Sequence, residues 1–136
     1  MTDTVYDMVI LGAGSGGYAA ALRGAQLGLK VALVEADKLG GTCLHRGCVP
    51  TKAILHAAET ADAVREAGAI GINASLDGID MGAVNSYKDG VITKMYKGLQ
   101  GLVGSRGIDL IEGWGKLVAA DTVEVDGKQY KGKNVV

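Results

Sequence analysis

Two cysteines and a glycine-rich turn carry most of the chemistry open to this sequence. Cys43 and Cys48 are its only cysteines, set in Gly40-Gly41-Thr42-Cys43-Leu44-His45-Arg46-Gly47-Cys48-Val49-Pro50-Thr51-Lys52. Two thiols this close can exchange with a disulfide or share a metal ion. With His45 and His56 they would form a Cys2His2 set, but the spacing C-x-H-x2-C-x7-H matches none of the usual zinc arrangements. Those two histidines read instead as a loop residue and a helix-surface residue. Earlier in the chain, Gly12-Ala13-Gly14-Ser15-Gly16-Gly17 fits G-x-G-x-x-G. In such a turn Gly12 permits the sharp bend, Gly14 lets backbone N–H groups approach a pyrophosphate, and Gly17 lets the following helix pack on the preceding strand. Glu35 stands 18 positions after Gly17. An acid near this spacing accepts hydrogen bonds from ribose hydroxyls, which disfavours a 2'-phosphate. The glycines alone do not distinguish one dinucleotide from another.

These groups need elements to hold them. The short apolar run 5–11 and the run 31–34 read as buried parallel strands. Between them, residues 18–27 are alanine- and leucine-rich without proline and read as a helix that Gly28 ends in a left-handed cap. Strand, helix and strand make a βαβ unit, and the fold class expected is α/β with a parallel sheet and flanking helices. Residues 43–67 read as one helix, with Pro50 tolerated near its first regular turn and Gly68 as its end. A second helix is expected at 81–103, with Val84, Val91, Met95, Leu99 and Leu102 on one side and the stripe Val84, Val91 and Leu99 as core packing, although Gly90, Gly98 and Gly101 weaken it. Residues 108–111 read as a third strand. Beyond them, 116–118, 122–125 and the run to 136 alternate around Asp126-Gly127, a hairpin signal that predicts a β-meander.

The segment from Gly40 to Lys52 resembles the G-G-T-C-x-x-x-x-C-x-P-x-K signature of the pyridine nucleotide disulfide oxidoreductases, and the resemblance spans nearly the whole chain. It implies a Rossmann-type domain that binds FAD, with Cys43 and Cys48 as a redox-active disulfide beside the flavin. Cys43 would be the interchange thiol that meets substrate, and Cys48 the charge-transfer thiol against flavin C4a. Lys52 would place its ammonium near flavin N5. By the same resemblance, cofactor contacts are expected from Gly12, Gly14, Ser15, Gly17, Glu35, Ala36, Gly41, Thr42, Cys43, Cys48, Lys52 and Gly115. Gly115 belongs to Gly113-Trp114-Gly115, where the backbone would approach adenine or simply turn. Gly16-Gly17-Tyr18 and Ala25-Gln26-Leu27-Gly28-Leu29 look most like the branch that passes electrons from dihydrolipoyl groups to NAD. Its partners would be the dihydrolipoyl groups of 2-oxo acid dehydrogenase complexes or of the glycine cleavage system. Glutathione- and mercuric-reductase types are the alternatives within the family. A redox-silent nucleotide-binding module, with cysteines buried or bound to metal, is the alternative outside it.

The spacing suits redox work better than stapling. Five residues of regular helix rise about 7.5 Å, beyond the roughly 6.8 Å limit for Cα atoms joined by a disulfide. A disulfide would therefore require the backbone to leave α geometry, and Gly47 is placed to allow it. Closing so small a loop would stabilise the fold by only about 2 kcal/mol. A nearby helix N-terminus would favour the thiolate.

The rest of the composition narrows the classes. With 14 basic and 15 acidic residues the net charge is -1, so no footprint for nucleic acid or an anionic membrane is expected. Glycine is 22 of 136 residues and proline only 1, which suggests tight turns and close backbone approaches rather than a disordered linker. Phe is absent, so the core must be aliphatic. Asp3 and Asp7 near the start, and no apolar run of transmembrane length, lead to the expectation of a cytoplasmic protein. One glycine motif is present, and it is assigned to FAD. Residues 1–136 are accordingly expected to be the N-terminal part of an FAD-binding domain, without the NAD-binding and dimer-interface domains of a complete homodimeric enzyme. Alone, the chain is expected to hold flavin weakly and not to complete the reaction.

Overall fold

The computed structural model describes residues 4–136; Asp3 lies outside them. The elements run β1 (Val5–Leu11), α1 (Ser15–Gln26), β2 (Val31–Glu35), α2 (Gly41–His45), α3 (Cys48–Glu66), a 3-10 turn (Ala67–Ile70), α4 (Met81–Ser105), β3 (Asp109–Glu112), β4 (Gly115–Ala119), β5 (Thr122–Val125) and β6 (Lys128–Val135). The strands form one six-stranded sheet in the order β3-β2-β1-β6-β5-β4. Pairing is parallel from β3 to β6 and antiparallel through β6, β5 and β4. This is the Rossmann-type α/β architecture with a β-meander.

β2 explains the unbroken apolar run. Val31, Ala32, Leu33 and Val34 are all at most 1% exposed, because both faces of the sheet are covered. Val31 and Leu33 join Ile10, Ala21, Val103 and Ile108 on one face, while Ala32 and Val34 join Tyr6, Val9, Val123 and Val125 on the other. Helix α1 ends as expected: Gly28 takes φ +80, its N–H donates to Ala25 O, and Leu29 N–H donates to Gly24 O, the paired bonds of a Schellman cap. Asp126 and Gly127 both have positive φ, the geometry that suits a two-residue hairpin turn.

Three expectations are corrected. The helix predicted over 43–67 is two helices, α2 and α3, broken at Arg46 and Gly47. Gly68 does not end it either: the chain continues through the 3-10 turn to Gly71, which takes φ +84. The stripe on α4 reaches the core through Leu99 alone, which packs against the cluster that holds Leu33 and Val103. Val84, Val91 and Leu99 are only partly buried, and Met95 and Leu102 are 50% and 41% exposed, whereas Val103 is the buried residue of that helix. α4 packs chiefly on α3, and its apolar side extends past that contact. Among the described residues, no helix is long and apolar enough to cross a membrane.

Candidate active site

The glycine turn and the cysteine segment lock together backbone to backbone. Gly12 takes φ +103 and donates its N–H to Val34 O at 2.8 Å, which folds the end of β1 over β2. A Cβ on Gly17 would collide with the carbonyl oxygen of Gly12, so only glycine lets α1 start this close to the strand. Gly14 precedes α1, which has neither a side-chain cap nor an acidic residue in its first turn. Its leading N–H groups, from Ser15 onward, are thus left for a ligand, and the donor set fits a pyrophosphate. Gly41, at φ +63, sits on Gly14, where a Cβ would come within 2.7 Å of the Gly14 Cα. Gly40 N–H donates to Ala13 O at 2.9 Å. Two residues beyond Gly41 comes Cys43, with the exposed Thr42 between them.

Glu35 closes the same turn from the other side. Its carboxylate accepts from Ala13 N–H and from Asp37 N–H, each at 2.8 Å. Glu35, Ala36, Gly12, Leu11, Val34 and the stretch from Gly113 to Gly115 line a cleft of about 280 Å³. Gly113 N–H donates to Glu35 O at 2.8 Å. At Gly115 a Cβ would run into Leu11 and come within 2.8 Å of Val34, so the missing side chain lets β4 lie directly over the sheet at the cleft. A smaller polar cleft of about 180 Å³ adjoins Glu35, lined by Lys38, Gly41, Thr42 and Arg46. Arg46 is paired with Asp37 at 3.1 Å.

Cys43 and Cys48 are joined in a disulfide with Cα atoms 4.6 Å apart. The break between α2 and α3 makes this approach possible. Gly47, at φ -125 and ψ -101, turns the chain back so tightly that a Cβ there would lie 3.2 Å from Thr42 O. Cys48 then opens the 19-residue helix α3. The two sulfur-bearing residues face different clefts: Cys48 lines one of about 360 Å³ with Lys52, Tyr87 and Met95, and Cys43 lines one of about 320 Å³ with Tyr18, Leu99 and Leu102. Cys48 is exposed and Cys43 half-buried. His45 is held by Leu39 O at 2.9 Å and lies edge-on to Tyr96, while His56 lies on the exposed part of α3.

The structure thus brings the glycine turn, Glu35, Ala36, Gly115, Gly41 and Thr42 together, and places Cys43, Cys48 and Lys52 immediately beyond. Sequence reasoning missed Ala13 and Gly40. Ala13 is fully buried and bonds both Glu35 and Gly40. The only signal was its small size at an x position of the motif.

A Rossmann glycine turn hydrogen-bonded through Gly40 to the segment that carries a short-spaced disulfide is the arrangement expected of a nucleotide-dependent disulfide oxidoreductase domain. Residues 6–136 match the sequence model of the family described as pyridine nucleotide-disulphide oxidoreductase, and the chain belongs to that family. Its membership implies flavin-dependent chemistry. The dihydrolipoyl dehydrogenase of Thermus scotoductus is 41% identical over 131 residues, covering 96% of this chain and 28% of that protein. That of Bacillus subtilis is 46% identical over 115 residues, 85% of this chain and 24% of the relative. That of Acholeplasma laidlawii is 40% identical over 132 residues, 96% of this chain and 39% of the relative. The chain therefore spans between 24% and 39% of the lengths of these relatives.

Proposed function

We propose that this chain is the N-terminal part of the FAD-binding domain of a dihydrolipoyl dehydrogenase, and that the complete protein oxidises dihydrolipoyl groups of 2-oxo acid dehydrogenase complexes or the glycine cleavage system. The observation that carries the reading is the disulfide held at the head of α3 and tied, through Gly40, to a nucleotide-binding turn.

The chain's own residues divide the work. The N–H groups at the start of α1 hold a pyrophosphate, and Glu35 takes the ribose hydroxyls. Cys43 receives the thiolate of a dihydrolipoyl dithiol; the Cys43–Cys48 bond breaks and a mixed disulfide forms. The second substrate thiol then displaces Cys43, so that the lipoyl disulfide forms while both cysteines are left reduced. Two electrons and two protons have moved to the pair. Cys48, at the N-terminus of a long helix, is favoured as thiolate, and the ammonium of Lys52 lines its cleft. FAD would be held by the glycine turn, Glu35, Ala36, Gly41, Thr42, Cys48, Lys52 and Gly115, and would supply the acceptor for this electron pair on its way to NAD. Assembly as a homodimer in the cytoplasm belongs to the same reading.

The exposures sharpen the test. In the complete protein, reduced and treated with iodoacetamide, Cys43 should alkylate first while FAD is bound, because a flavin held in the cleft of Cys48 and Lys52 would cover Cys48. After FAD is stripped, Cys48 should become the faster site, as its greater exposure in this chain requires. Peptide mapping that found Cys48 modified first with FAD in place would reverse the two roles. A colourless, zinc-containing protein would overturn the oxidoreductase reading.

A further inference from the structure

His45 sits between the two cysteines and makes two contacts that the disulfide chemistry does not use. It is the last residue of α2. Its Nε2 lies 2.9 Å from Leu39 O, and because a carbonyl oxygen can only accept, that nitrogen carries the proton. The ring also meets Tyr96 of α4 edge-on, with centroids 4.8 Å apart. Both partners are fixed: Leu39 is buried in the cluster of Leu33 and Val103, and Tyr96 packs against the same cluster. α2 itself is a five-residue turn, too short to keep its shape alone, and Arg46 and Gly47 join it to α3 from outside either helix. While the disulfide is closed, it fastens α2 to the head of α3. Once it opens, Gly40 still holds the start of α2 through Ala13 O, and Leu44 stays buried in its middle. The end next to Gly47 then depends on His45, since the Arg46–Asp37 pair beside it is solvent-exposed and such pairs contribute little.

We infer that His45 is a positioning residue for the disulfide: it keeps the Cys43 thiol within reach of Cys48 after the bond has broken, so that the bond closes again more readily. The closed disulfide orders the end of α2 for the two contacts of His45, and those contacts in turn order the thiols for the disulfide. The two are cooperative. Losing the contacts therefore costs the closed form more than the open form, which relaxes through Gly47, and the disulfide becomes easier to reduce. A residue that only stabilised the fold would act on both forms alike. The balance between them would not move.

The inference rests on the reading of Cys43–Cys48 as a bond that opens and closes in the folded protein, and the experiment separates the two. The chain has no other cysteine, so its thiol state is read directly: it is equilibrated with graded ratios of reduced to oxidised dithiothreitol, quenched in acid and labelled with a maleimide. Reduction moves two electrons and two protons from the dithiol to the cysteine pair and leaves the reagent as its cyclic disulfide. His45→Phe keeps a ring against Tyr96 but drops the N–H donor, and His45→Gln returns a donor near the place of Nε2. The reduction constant of the Phe variant should rise about 2- to 12-fold, the scale of one net hydrogen bond, and that of the Gln variant should return toward wild type. Tyr96→Leu removes the other contact from outside the cysteine segment and should raise the constant in the same direction, so the test stands if His45→Phe does not fold. Urea midpoints of each variant, oxidised and reduced, should fall further in the oxidised form. Wild-type constants in the variants that fold, or equal falls of both midpoints, would overturn the role of His45 alone. A wild-type pair that opens only when urea unfolds the chain would overturn the opening disulfide and this inference with it.

Discussion

Glu35 is engaged before any ligand arrives. Each carboxylate oxygen already accepts one backbone N–H, from Ala13 or Asp37, and an ionised carboxylate has about four acceptor positions, leaving roughly two for a ribose diol. Glu35→Ala in the complete protein should therefore weaken FAD binding by roughly 1.5 to 3 kcal/mol, the scale of charge-assisted bonds, and also release the glycine turn. Glu35→Gln keeps the shape but turns an amide NH2 toward one of the two N–H donors, so its loss of affinity should fall between alanine and wild type. Flavin fluorescence during dialysis measures both. An alanine variant that held FAD as tightly as wild type would remove Glu35 from the site. The placement of Glu35 beside the glycine turn was legible from its distance to Gly17, whereas its bonds to Ala13 and Asp37 were not. They join residues whose side chains carry no chemistry of their own, and only the folded turn reveals them.

At the scale of elements, the same substitution has opposite expected effects in two helices. Ala is a better helix former than Gly by about 1 kcal/mol. Gly98 of α4 has nothing near its missing Cβ, so Gly98→Ala should raise stability by up to that amount. At Gly17 the new methyl would meet Gly12 O, and α1 must lift from the turn at a cost of roughly 1 to 3 kcal/mol. Urea midpoints should move up for the first variant and down for the second; equal shifts would show that α1 can slide freely. The helices themselves were readable from composition and spacing. Their ends and faces were less so. The break at Gly47 was legible, because a disulfide cannot span five residues of regular helix, but the exposure of Met95 and Leu102 was not, because it depends on how far α3 extends beside them. A periodic stripe says that a face is apolar, not what covers it.

Across the whole molecule, one hydrogen bond spans three strands. Tyr6 on β1 donates its hydroxyl to Asp109 at the start of β3, at 2.8 Å, with β2 between. Burial, then the bond to Asp109 and its charge, push the Tyr6 pKa up to about 12 from 10. The folded state thus holds this proton more tightly than the unfolded chain. The stabilisation is complete below about pH 10 and is lost as pH rises through about 12. The urea midpoint of the wild-type chain should fall across that window, and that of Tyr6→Phe should fall less. Identical pH profiles would mean that Tyr6 contributes nothing to the alkaline transition. The run of residues 5–11 announced a buried strand, but the partner of its tyrosine lies 103 positions away, a distance no local pattern reports.

The position of β6 sets the order in which this molecule can be made. β1 has β2 on one side and β6 on the other, and Asp7 of β1 is bonded to Lys133, 126 positions later. On a ribosome, β1 must wait for a partner strand whose Lys133 emerges 126 residues after Asp7. Until residues 131–135 leave the exit tunnel, the β3-β2-β1 half of the sheet exposes the β1 backbone as an open edge. Such an edge can recruit a strand from another nascent chain. Closure by so distant a segment is also slow. The strand that leads into the glycine turn is thus translated well before the strand that secures its open edge.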